Sequence, residues 1–96
     1  MAIITNINGT SVKNCKCGTW LNHWKNFSRQ KAPFQCPVFG CLNKELVGAH
    51  VQKGNSTDRK WYIVPLCQEH NQSNKDLFIS DQVELVSADK RLTCDK

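Results

Sequence analysis

Two short pairs of soft ligands limit what this chain can become: Cys36 with Cys41, and Cys67 with His70. Structural zinc takes four tetrahedral nitrogen or sulfur ligands. Cys36-Pro37-Val38-Phe39-Gly40-Cys41 reads as one turn, bent by Pro37 and Gly40, that aims two thiols the same way. Cys67 and His70 stand three residues apart at a predicted helix start, so they share a face. Between the pairs lie two apolar runs, 45–51 and 61–66, joined by a polar loop over 52–60. They read as strands of a hairpin. Closing both pairs on one ion yields a knuckle, a hairpin and a short helix over about 67–75. A site of this kind contributes roughly 10–16 kcal/mol of binding free energy directly to folding.

The chain needs such help. It has 96 residues, 40% of them hydrophobic, with three Trp, one Tyr and four Phe as its bulky anchors. Domains this small are commonly held by metal or disulfides. Six cysteines suffice for either, so redox compartment decides. Met1-Ala2-Ile3-Ile4-Thr5-Asn6 has neither a charged start nor an apolar h-region, and no stretch reaches the roughly 18 apolar residues of a membrane span. The expectation is a cytoplasmic protein whose thiols bind zinc rather than pair.

The remaining segments take simpler readings. Residues 1–14 form a weak strand or hairpin. Gly18 ends a Cys15-Lys16-Cys17 turn, and Thr19 is placed to cap an amphipathic helix over 19–29. Trp20, Leu21, Trp24 and Phe27 recur at helical spacing on its inner face, with His23 at the edge as a hydrogen-bonded core histidine. Leu77-Phe78-Ile79 and Val83-Glu84-Leu85-Val86 are strand-like. Cys15, Cys17, His23 and Cys94 could make a second Cys3His zinc site. The competing readings are a free Cys94 beside an unmetallated Cys15–Cys17 pair, or recruitment of His50 into one of the sites. A redox role for Cys15 and Cys17 is disfavoured, because one residue separates them and no thioredoxin-like βαβ pattern surrounds them.

The residues from Cys36 and Cys41, through Val47-Gly48-Ala49-His50-Val51, to Val64-Pro65-Leu66-Cys67-Gln68-Glu69-His70-Asn71 resemble the HNH endonucleases. The likeness covers about 36–75, under half the chain. It implies an α+β fold: a treble-clef or ββα-metal core of knuckle, hairpin and helix, within one domain over 1–96. The N-terminal amphipathic helix and short flanking strands would pack on that core. It also implies that His50 is the general base activating water on a phosphodiester, and that Asn71 binds a catalytic divalent cation. The pattern departs at Ala49, where the family has a metal ligand and a methyl group binds nothing. Tyr62 stands where the family has an Asn. Asp58, in the loop between the strands, is a carboxylate that could substitute for the lost ligand, with no geometric ground for it. One neutral amide is a poor site for a hard cation.

Charge points to a polyanion. Residues 1–44 carry Lys13, Lys16, Lys25, Arg29, Lys31 and Lys44 and no acid, while 45–96 carry seven bases and eight acids. Lys25, Arg29 and Lys31 are the expected phosphate contacts; the plainer reading is a solvated face. The expected function is a zinc-binding, HNH-like domain that binds nucleic acid, with hydrolysis in doubt at Ala49. The alternative is a non-catalytic protein-interaction module, anchored on a protein partner by exposed aromatics. Metal analysis of freshly purified protein separates the ligand readings. Two zinc atoms per chain support both sites, one supports the central site alone, and none overturns the metal-based fold.

Overall fold

The computed structural model describes residues 2–7, 19–28, 30–31, 33–54, 57, 60–72 and 75–88. Five strands form one antiparallel sheet: β1 (Ala2–Asn6), β2 (Leu46–Lys53), β3 (Tyr62–Cys67), β4 (Asp76–Ile79) and β5 (Val86–Ser87). Their order is β4-β1-β2-β3-β5, so the β2–β3 hairpin lies inside the sheet rather than at its edge. Among the described residues two helices, α1 (Trp20–Ser28) and α2 (Gln68–Asn71), complete an α+β fold.

The pleat sorts the side chains into two cores. His50 pairs with Ile63, and Ala49 with Val64. Neighbours along a strand point to opposite faces, and cross-strand partners share one. Ile63 packs with Trp20, Trp24 and Val86 under α1. Ala49, Val51, Val64 and Leu66 pack on the other face with Ile4, Leu77, Ile79, Cys36 and Cys67. His50 and Ile63 therefore lie on the α1 side, and Ala49 and Val64 on the other.

Helix α1 starts where the sequence places it. The Thr19 hydroxyl accepts the Asn22 N–H at 3.1 Å, an N-cap bond. Trp20 and Trp24 are buried as expected. Phe27 is not: it remains 40% exposed, its ring tilted against His23, which takes the inward place. Two other expectations change. Helix α2 ends at Asn71 instead of continuing to about 75, with Gln72 as its C-cap and the Gln72 N–H turned back on the Glu69 carbonyl at 3.3 Å. The strand expected over 83–86 shrinks to Val86–Ser87. Backbone groups just before it are taken by α1 and its exit: Trp24 Nε1 donates to the Glu84 carbonyl (2.7 Å), Gln30 Nε2 to the Gln82 carbonyl (2.9 Å), and the Glu84 N–H to Gln30 Oε1 (3.1 Å). Once bonded to side chains, these groups need no strand partner.

Gly48 sets how close α1 can come. A Cβ built there would lie 2.4 Å from both the Leu21 nitrogen and the Trp20 carbonyl carbon. These are backbone atoms and cannot rotate away. Gly48→Ala should therefore cost about 1–3 kcal/mol or more by pushing α1 off the sheet. Urea unfolding checks this, and an unchanged midpoint would show that α1 is not seated on β2 as described.

Candidate metal centre

The four predicted ligands converge. One nitrogen or sulfur atom from each of Cys36, Cys41, Cys67 and His70 lies within 4.8 Å of the others, a group that could hold a metal ion. Cys41 Sγ is 3.7 Å from Cys67 Sγ, and His70 Nδ1 is 3.6 Å from Cys36 Sγ and 3.1 Å from Cys67 Sγ. A tetrahedral ion with sulfurs at about 2.3 Å requires sulfur–sulfur edges of about 3.8 Å, so the donors already stand near the corners of such a site.

Local hydrogen bonds build each half. The Cys41 N–H donates to the Val38 carbonyl at 3.0 Å, closing a turn in which Gly40 has φ 82°. A positive φ at the third position of such a turn favours glycine, which accounts for the four-residue spacer between the cysteines. The Cys36 N–H donates to the Asn43 carbonyl at 2.7 Å, and Gln35 Nε2 to the Cys41 carbonyl at 3.3 Å. The knuckle is then pinned to the β4 edge by the Phe39 N–H on the Phe78 carbonyl and the Ser80 N–H on the Pro37 carbonyl. Opposite it, Cys67 is the last residue of β3 and the N-cap of α2, and His70 follows one turn later.

The thiols are prepared unequally. Burial pushes Cys36 up to about 12. Burial pushes Cys67 the same way, but hydrogen bonds to its sulfur, led by the Asn43 amide at 3.5 Å, outweigh it and bring it down to about 6. The Cys67 N–H also donates to Cys36 Sγ at 3.3 Å. A dication removes the cost of holding several thiolates together. Asn43 is the supporting residue that sequence reasoning missed; its place two residues after Cys41 carries no recognisable signal.

Other expected site residues fall elsewhere. Cys15, Cys17, Cys94, Arg29 and Asp58 lie outside the described residues. His23 is fully buried, and its Nε2 donates to the Ser87 carbonyl at 2.8 Å, fulfilling its reading as a hydrogen-bonded core histidine. Lys25 and Lys31 are exposed. His50 is 5% exposed, its ring edge-on to Trp20 at 4.5 Å and to Trp61 at 6.2 Å. Asn71 is met from the opposite face, where the Asn6 side-chain amide donates to its carbonyl. That contact is to the Asn71 backbone, and His50 is not in the group formed by Cys36, Cys41, Cys67 and His70.

No helix among the described residues is long and apolar enough to cross a membrane. The chain matches no family model, no curated protein and no solved structure.

Burial, reinforced by the nearby His23, lowers the His50 pKa from its ordinary value of 6.5. The unfolded chain then binds the proton more readily, so stability is intact above the ordinary value and is lost as pH falls through the lower folded one. His50→Phe keeps a ring under Trp20 and removes the titration. Between about pH 7.5 and about pH 5.5 the variant's urea midpoint should fall less than the wild type's. Acid release of metal affects both proteins alike, and equal falls would remove His50 from the pH dependence.

Proposed function

We propose that this chain is a zinc-held, nucleic-acid-binding domain with an HNH-like core that does not cleave its ligand. The observation that carries the reading is the opposition of Ala49 and His50 across the sheet. Zinc suits the donor set, because three thiolates and an imidazole at tetrahedral spacing fit it better than a hard cation. All four positions are filled by protein, which leaves no place for a reactive water and makes the ion structural. The knuckle, hairpin and α2 around it follow the order of a treble-clef unit.

Hydrolysis by this family's route needs a base that reaches water beside a cation. Ala49 is 1% exposed and packs in the apolar core, so neither its side chain nor its position serves a cation. The His50 ring is covered by Trp20. What remains is binding. The net charge of +5, with Lys25 exposed on α1 and Lys31 just beyond it, supports a phosphate-rich ligand.

A second reading has its own observation. Phe34 and Leu42 are 76% and 75% exposed beside a cleft of about 470 Å³ on the knuckle, a surface that a protein partner could cover. Pulldown of one stoichiometric protein without nucleic acid would favour it.

Labelled single- and double-stranded DNA and RNA, titrated with salt, test the main reading. Binding should weaken steeply as salt rises, and Lys25→Glu should weaken it further. Plasmid incubated with Mg²⁺, Mn²⁺ or Ni²⁺ should stay intact. Cutting that disappears in His50→Ala would overturn the non-hydrolytic assignment, and no binding at low salt would overturn the nucleic-acid assignment.

A further inference from the structure

The distribution of charge and exposed rings separates two surfaces. The knuckle cleft has the more exposed rings, but the charges beside it are of mixed sign: Lys44 holds its ammonium over Phe34 and is followed by Glu45, and Asp81 falls between the lining residues Ser80 and Gln82. The end of the β2–β3 hairpin is different. Among the described residues of α1 and of 46–67 there are three bases, Lys25, Lys53 and Lys60, and no acid. Asp58 and Arg59, of opposite charge, lie outside the described residues.

Trp61 sits at this end, 45% exposed, whereas Trp20 and Trp24 are buried. Its position is fixed from two sides. The Ala88 N–H donates to its carbonyl at 3.0 Å, and its ring meets His50 edge-on. His50 in turn rests against Trp20, Trp20 against His23, and His23 against Phe27, with centroids 4.5, 5.1 and 5.0 Å apart. The exposed indole is thus the outer end of a packed row of rings rather than a loose surface side chain. Lys60 directly precedes Trp61, whereas Lys53 lies over the Tyr62 ring on the other face of the sheet.

We propose that the hairpin end binds a single strand of nucleic acid, with Trp61 as the platform for a base and Lys60 as a phosphate contact. The proposal rests on the nucleic-acid reading above and narrows it to single strands. A fixed, half-exposed indole offers a π-face that a base can use only when it is unstacked from a duplex. Such recognition uses neither base edges nor the sugar 2′-hydroxyl, so DNA and RNA strands are one ligand to this surface.

Oligothymidylate and oligouridylate, fluorescently labelled, provide the probes, with a DNA duplex of equal length for comparison. Both strands should bind more tightly than the duplex and quench tryptophan emission, which reports Trp61 because the other two indoles are buried. Trp61→Ala should weaken strand binding about five- to 150-fold, and Trp61→Phe should retain most of it. Lys60→Glu should lower the salt slope by about one. If Trp61→Ala fails to fold, quenching of the wild type and the Phe variant still decide. Duplex preference, unchanged affinity in a folded Trp61→Ala, or unquenched emission at saturation would overturn this proposal and leave general nucleic-acid binding standing. Absence of binding to all three probes would overturn both.

Discussion

The contact on which the rest of the molecule depends is the meeting of the 36–41 knuckle with the β3–α2 junction. Three sulfurs and one imidazole nitrogen approach there to between 3.1 and 3.7 Å across the measured edges. Without a cation this is an unfavourable place: burial holds Cys36 protonated while hydrogen bonds favour the Cys67 thiolate. With one, the same donors become a crosslink between segments about 30 residues apart. The apolar core on that face, from Ile4 to Ile79, includes Cys36 and Cys67 themselves, so metal site and core are one packing unit.

The other face is organised by α1 rather than by ligands. Gly48 lets the helix backbone approach β2, and Trp20 then covers His50. In this arrangement His50 lies buried within β2 against Trp20 rather than at a strand end. Its ring provides an edge for Trp20 and for Trp61, two aromatic contacts of the kind worth about 0.5–1.5 kcal/mol beyond area burial.

Much of this was legible beforehand for physical reasons. Ligand spacing identified Cys36, Cys41, Cys67 and His70, because few sequences place two soft pairs around a hairpin. The helix was legible from Thr19, Trp20 and Trp24, where capping and periodicity agree. The parts that escaped depend on long-range partners. Nothing local announces that Gln30 will take the backbone of 82–84, or that Asn43 will donate to Cys67. The insertion of β1 between β4 and β2 depends on pairings across the whole chain, which periodicity does not encode.

The central claim, that one tetrahedral ion held by three sulfurs and one nitrogen closes the fold, is tested most directly by cobalt. Titration of metal-free protein with Co²⁺ should give one equivalent of binding, with the intense visible bands of tetrahedral geometry and sulfur-to-metal charge transfer in the near ultraviolet. Both should disappear when Zn²⁺ displaces the cobalt, and the tertiary circular dichroism should be gained with the metal and lost with chelator. A weak octahedral spectrum, or full tertiary structure in metal-free protein that takes up no cobalt, would contradict the account.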